Sequence, residues 1–311
     1  MTSFTVGSPV PETAAAPPAL ADAVLDWYGV CARDLPWRDP RVSPWAVLVS
    51  EIMLQQTPVN RVLPVWRAWT DRWPTASALA AEPAGEAVRM WGRLGYPRRA
   101  LRLHQTAVAI TELHGGAIPD SVNELLRLPG VGTYTARAVA AFAFQQRHAV
   151  IDVNVRRFVS RAVGGHDDQR TATSRRDLQL VESLLPIDPR MAARASAAFM
   201  ELGALVCTAR TPHCAACPVA EECGWRQAGN PPADSPPRRP QGYAGTDRQV
   251  RGRLLAVLRE APGPVHRELL DAVWDEPVQR ERALSGLLDD GLAILIAPGV
   301  YALPGHPAID S

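Results

Sequence analysis

The sequence predicts an all-α chain ending in a small mixed helix-and-strand module, and three features carry that prediction. From 21 to 227, apolar side chains recur at three- and four-residue spacing between short Gly/Pro breaks, the mark of successive helices. No convincing alternating strand pattern occurs in that stretch. Beyond a Pro-rich segment, 247–303 reads as three helices and two short strands. A chain of 311 residues exceeds one ordinary core, so two or three domains are expected.

Residues 1–20 are rich in Ala, Pro, Ser and Thr and are expected to be disordered. The helical body spans 21–227. Within it, Ser43 and Pro44 make a helix start, an N-cap followed by proline at the first helical position. On that helix Val47, Leu48, Glu51, Leu54 and Gln55 share one side. The stretch NELLRLPGVGTYTARAVAAFAF reads as helix, tight turn, helix. Leu125, Leu126 and Leu128 close the first helix, and the second starts near Thr133. Gly130 and Gly132 permit backbone shapes and close approaches that a side chain would block. This is the layout of a helix-hairpin-helix DNA-binding element, whose free N–H groups suit a phosphate. A plain Pro-Gly turn has the same look. In VIDVNVRRFVSRAVGG, Val155, Phe158, Val159 and Ala162 line one apolar face, with Asp152 at the N-cap.

Residues 228–245 form a Pro-rich linker. Residues 246–305 resemble a winged helix, with helices at 247–261, 265–273 and 277–290 and a hairpin around Pro298-Gly299. Seven Arg against nine Asp plus Glu over 247–303 give this module a net charge of −2. That sign fits packing or protein contact better than an unaided grip on DNA. Residues 306–311 are a tail.

Composition narrows the function classes. A net charge of +1 excludes a uniformly basic polyanion binder, so any nucleic-acid surface is a local patch. All 33 positive side chains are Arg, a bias in line with the Ala- and Pro-rich coding. No side-chain amine therefore exists to form a Schiff base. There is no run of about 18 apolar residues to span a membrane, and the start lacks the basic and apolar regions of a signal peptide.

Cys207, Cys214, Cys217 and Cys223 lie in one short loop, a spacing that suits zinc or an iron–sulfur cluster. A single Cys-x-x-Cys pair, rather than two, tilts this toward iron–sulfur. Cys31 reads as a small buried residue. Glu51 sits at the edge of an apolar face, where a carboxyl tends to keep its proton, as a general acid must.

The motifs LPWR, SEIMLQQT, WGRLGYPRRA, LPGVGTYTA, IDVNVRR, ELGALVC and the four-cysteine loop occur in that order. Together, over 21–225, they resemble the adenine DNA glycosylases of the MutY family, within the endonuclease III superfamily. The resemblance implies a helix-hairpin-helix glycosylase fold with a [4Fe–4S] cluster on the four cysteines. It implies a double-stranded DNA substrate carrying adenine opposite 8-oxoguanine or guanine. Glu51 matches the acid that protonates adenine N7, and Asp152 the carboxylate that stabilises the oxocarbenium-like sugar. Gln55 matches a wedge beside the orphaned guanine, Gln56 and Thr57 its support, and Tyr96 an intercalating aromatic. Trp37 and Arg38 fit the adenine pocket wall, and Tyr134 and Asn154 fit supports around Asp152. Bifunctional relatives carry a lysine where Tyr134 stands, so a monofunctional enzyme is expected. Arg98, Arg99, Arg156, Arg157 and Arg210 are candidates for the phosphate-binding patch. The cytoplasm, at the nucleoid, is the implied compartment, and a monomer the implied state.

Three departures from the family stand out. About seventy residues replace the long MutT-like reader of 8-oxoguanine, and they leave room for a protein partner. Pro97 replaces a second aromatic, and Val153 a glycine. Two other readings share the scaffold: a thymine or other mismatch glycosylase, and a catalytically weak lesion-binding protein.

Overall fold

The structure, a computed structural model, describes residues 17–168, 172–233 and 242–306. In chain order the helices are α1 (Pro17–Cys31), α2 (Pro44–Leu54), α3 (Val59–Arg72), α4 (Ala76–Ala80), α5 (Ala84–Trp91), α6 (Arg98–His114), α7 (Val122–Leu125) and α8 (Thr133–Phe144). Then come α9 (Val153–Ala162), α10 (Arg175–Leu184), α11 (Pro189–Leu205), α12 (Gly224–Gln227) and α13 (Asp247–Glu260). The chain closes with β1 (Val265–His266), α14 (Arg267–Asp271), α15 (Pro277–Asp289), β2 (Ile294–Ala297) and β3 (Val300–Ala302). Two units form, each from two chain stretches: 1–34 with 145–237, and 35–144 with 238–311. Among the described residues no helix is long and apolar enough to cross a membrane.

In the unit holding 35–144, α2 starts as its sequence predicts. Ser43 Oγ accepts from Ala46 N at 3.2 Å, ahead of Pro44. The unit's core centres on tryptophans: Trp69 lies edge-on to Trp73 and Trp91, with ring centroids 4.7 and 5.7 Å away. The hairpin expected at 123–144 is present as α7, a turn and α8, although α7 is a single short turn of helix. Leu125 and Leu128 are buried, while Leu126 is exposed.

The C-terminal module packs within this same unit. Its sheet has the order β1-β3-β2, all antiparallel, with Tyr301 opposite both Val265 and Leu295. The two-residue β1 is too short to show alternation, and the helix expected over 265–273 is only the short α14 that follows it. Gly85 N donates to Pro304 O at 2.7 Å, and Arg89 Nη1 donates to Ala261 O at 2.8 Å. Asp290, just past α15, holds Arg98 at 3.2 Å and also pairs with Arg251.

In the other unit, α1 packs on α11 and α10, and α9 packs on α11, where Phe158 and Phe199 meet at 5.6 Å. Arg33 Nε donates to Glu201 at 2.7 Å, which pairs a carboxylate that is 1% exposed. Two expectations change here. Helix α1 already covers 17–20, since prolines are tolerated in a first helical turn, and 1–16 lies outside the described residues. Cys31 is exposed rather than buried: it continues the face of Leu20 and Val24, but it is the last residue of α1, where Gly29 and Val30 beside it are also exposed and the helix runs past its packing partners. Of the linker at 228–245, residues 234–241 lie outside the described residues, and so does the tail beyond 306.

Candidate active site and cysteine loop

Glu51 lies in the most apolar stretch of α2, where every residue from Trp45 to Met53 is buried; Glu51 itself is 5% exposed. Helix α2 stops at Leu54, so Gln55 is not on the helix face with Glu51 as the spacing suggested. Gln55 caps the helix with ψ of 110°, and Gln56 follows at φ 55°. Pro58 explains the early stop, since it disfavours helical geometry at Thr57 and begins the next helix as its N-cap. Gln55 Nε2 donates to Thr135 Oγ1 at 3.3 Å. Gln56 is exposed, while Thr57 is buried with its hydroxyl 3.3 Å from Leu94 O.

Arg99 was expected on a phosphate-binding surface and is instead 7% exposed. One of its amino groups donates to the carbonyls of Ile52, Met53 and Gln55 at 3.0, 2.9 and 2.5 Å. The other reaches Thr57 Oγ1 at 2.8 Å and Gly95 O at 3.0 Å. Burial pushes this guanidinium down to about 10, still charged at neutral pH. Its helix position reveals the signal: Arg99, Leu103, Thr106, Ala107 and Ile110 form one buried stripe of α6.

Tyr96 is 54% exposed at φ 48°, so it is not a core residue. Trp37 is buried edge-on against Trp66 at 5.6 Å, and Arg38 beside it is half-buried. Gly130 needs its glycine: φ is 77°, and a Cβ would come within 2.9 Å of Arg102 Cβ. Gly132 meets no neighbour within 4 Å, so the close approach expected there is not made by the protein itself. Tyr134 is half-buried in the first turn of α8. Arg98 is taken up by Asp290.

The second carboxylate, Asp152, lies in the other unit and caps α9 as expected. Its Oδ1 accepts from Asn154 N at 2.9 Å and Val155 N at 2.8 Å; its Oδ2 accepts from Asn154 Nδ2 at 2.7 Å. Burial pushes the carboxyl above the ordinary aspartate range, opposed by those three donors and by nearby Arg157. Val153, by contrast, is 57% exposed. Arg157 Nη2 donates to Asn154 Oδ1 at 2.8 Å and Gly203 O at 2.6 Å, and its Nε to Cys207 O at 2.7 Å. Gly203 of α11 is pressed on Asn154, so that a Cβ there would lie 2.6 Å from Asn154 O. Arg156 is buried too and donates to Thr173 Oγ1 at 2.7 Å. Neither Arg156 nor Arg157 belongs to a surface patch. Both serve internal acceptors that a charge count does not reveal, whereas Arg210 is exposed.

All four loop cysteines line one cavity, together with Phe158, Val206 and Trp225. Burial and the neighbouring thiols push Cys217 up to about 11, and burial raises Cys207. Arg161 answers with a donor 3.6 Å from Cys207 Sγ and stacks over Trp225 at 4.7 Å. Among the described residues no three His, Cys, Asp or Glu converge to hold a single metal ion. Four sulfurs around one cavity, one of them faced by the Arg161 cation, suit an anionic thiolate-bound centre such as an iron–sulfur cluster.

The HhH-GPD superfamily of base excision DNA repair proteins matches residues 49–183, and the iron-sulfur binding domain of endonuclease III matches 207–223. The cysteine loop is thus an iron–sulfur binding loop. Adenine DNA glycosylases of Mycobacterium tuberculosis and Mycolicibacterium smegmatis are 55% and 57% identical over 284 residues. Those alignments cover 91% of this chain and 93% and 95% of the relatives. A thermostable thymine-DNA glycosylase of known structure superposes with a TM-score of 0.62 at 26% identity, over 67% of this chain and 95% of its own. With more than half its residues shared along nearly its whole length, the chain belongs to the adenine DNA glycosylase family.

Proposed function

We propose that the chain hydrolyses the N-glycosidic bond of adenine mispaired with 8-oxoguanine or guanine in double-stranded DNA. One observation carries the reading: a single carboxyl, Glu51, buried in an otherwise apolar helix of a chain so close to adenine DNA glycosylases. The target base must first leave the stack. Glu51 then gives its proton to adenine N7, and the C1′–N9 bond breaks with its electron pair leaving on the base. Asp152, ionised, stabilises the positive charge on the sugar. Water adds to C1′ and its proton passes to the Glu51 carboxylate, leaving an abasic site.

Trp37 and Arg38 wall the adenine. Gln55, Gln56, Thr57 and exposed Tyr96 take the orphaned side, where stacking on an aromatic is worth about 1–3 kcal/mol per base. The open space at Gly132 leaves room for a phosphate at the start of α8, with Gly130 shaping the turn. Asn154 steadies Asp152. Tyr134 replaces the lysine of bifunctional relatives, and with no lysine in the chain the enzyme is monofunctional.

Cys207, Cys214, Cys217 and Cys223 would hold a [4Fe–4S] cluster, which when bound fixes the loop's shape. Thiols serving as ligands, not disulfides, suit a reducing cytoplasm, with the nucleoid as the place of work and a monomer as the working form. The C-terminal module's charge of −2 suits a protein contact.

Single-turnover cleavage of duplexes with A opposite 8-oxoguanine, A opposite G and T opposite G tests the reading. Adenine release that Glu51→Gln lowers about 10²–10⁴-fold is expected. Release of thymine instead would favour the activity named for the structural neighbour, and binding without release would favour a lesion-binding protein.

A further inference from the structure

Arg99 joins two turns that are separate in sequence. The last carbonyls of a helix have no partner inside it, and a cation there also meets the negative end of the helix dipole. Arg99 supplies both needs for α2 through Ile52 O and Met53 O. It then continues along the turn that leaves α2, to Gln55 O and Thr57 Oγ1. With the same planar group it reaches Gly95 O, next to Tyr96, and its guanidinium lies 5.5 Å from the Tyr96 ring and 5.1 Å from Trp91. Only a rigid fork with several donors reaches acceptors on both turns, and a lysine ammonium could not.

The arrangement also carries a cost. The Nε–H of Arg99 is buried without an acceptor among the described residues. A residue selected for packing alone would not need a desolvated charge here. The two turns it ties present Gln55 and Tyr96, each at or beside a strained backbone: Gln56 at φ 55° and Tyr96 at φ 48°.

We infer that Arg99 is a positioning residue that fixes the spacing between the Gln55 turn and the Tyr96 turn, and thereby sets discrimination of the base opposite adenine. The inference rests on the adenine reading above. It assigns Arg99 no contact with DNA. It predicts that losing the fork affects the opposite-base preference more than the removal of adenine itself.

The test measures single-turnover adenine release from duplexes with A opposite 8-oxoguanine and A opposite G. The proteins are wild type, Arg99→Met, Arg99→Lys and the near-isosteric Thr57→Val, which removes one acceptor of the fork if the Arg99 variants do not fold. Each is also combined with Tyr96→Ala, and thermal melting is recorded. The 8-oxoguanine-to-guanine rate ratio is expected to fall about tenfold in Arg99→Met, the scale of lost hydrogen bonds to a charged group. Arg99→Lys should restore little of it, and Thr57→Val should lower the ratio less but in the same direction. In the Tyr96→Ala background the Arg99 effect should largely vanish, because both act through one element. A lowered melting temperature with an unchanged ratio, or an effect additive with Tyr96→Ala, overturns the positioning role alone. Wild type that releases no adenine from either duplex overturns the adenine reading, and the inference with it.

Discussion

Gly203→Ala tests how Asp152 is held. The added Cβ would sit 2.6 Å from Asn154 O, 2.8 Å from Asn154 C and 2.9 Å from Asn154 Cβ. Two of those atoms are backbone, so no rotamer change relieves the clash. An ordinary contact begins near 3.4 Å, so α9's first turn must move away from α11 by roughly 0.8 Å. Overpacking of this kind costs about 1–3 kcal/mol, or about 2–12 °C of melting midpoint at about 2–4 °C per kcal/mol. The shift falls on the residue whose backbone and side chain both donate to Asp152. Displacing a reacting group by about 1 Å costs about a hundredfold in rate. Single-turnover adenine release and thermal melting read the two effects separately. A variant with wild-type melting and wild-type rate would refute the view that the α9–α11 contact sets Asp152.

Other outcomes follow from the same geometry. Burial raises the Asp152 carboxyl and the Asn154 amide favours its ionised form, so Asn154→Ala raises it further. The proposed mechanism uses the carboxylate, so the acid limb of the pH–rate profile should move to higher pH, and an unmoved limb would remove Asp152 from the rate. Glu51→Gln should lower adenine release by about 10²–10⁴-fold while duplex binding in a gel-shift assay is retained. Borohydride should trap no covalent enzyme–DNA adduct in a chain without lysine side chains. Cys217→Ser should lose iron, measured by elemental analysis, and lower the melting temperature of a protein whose four thiols share one cavity.

Local signals in the sequence were legible where one residue type does one job. Ser43-Pro44 announced α2, Asp152 announced the start of α9, and the cysteine spacing announced the loop whose thiols line one cavity. Residues whose role depends on a distant acceptor were not. Arg99, Arg156 and Arg157 looked like surface cations, but carbonyls and side chains brought near by folding bury them. Gln55 was placed on the helix because the periodic pattern continues through it, whereas Pro58 acts backward on the turn. The roles proposed for Gln55 rest on the family likeness alone, whereas Glu51 on an apolar edge already carried the mark of a carboxyl that keeps its proton.

The chain crosses between the two units three times, so each must wait for a later stretch during synthesis. Helix α1 ends at Cys31, but its main partner α11 starts only at Pro189. At about 5–20 residues per second, α1 leaves the ribosome roughly 8–30 s before that partner exists. The C-terminal module is likewise made long after the stretch it packs on, since Pro304 closes onto Gly85. A ribosome stalled near the Pro-rich stretch would therefore leave apolar faces of the 35–144 stretch uncovered. Such an unfinished chain should depend on chaperones more than its helix content suggests.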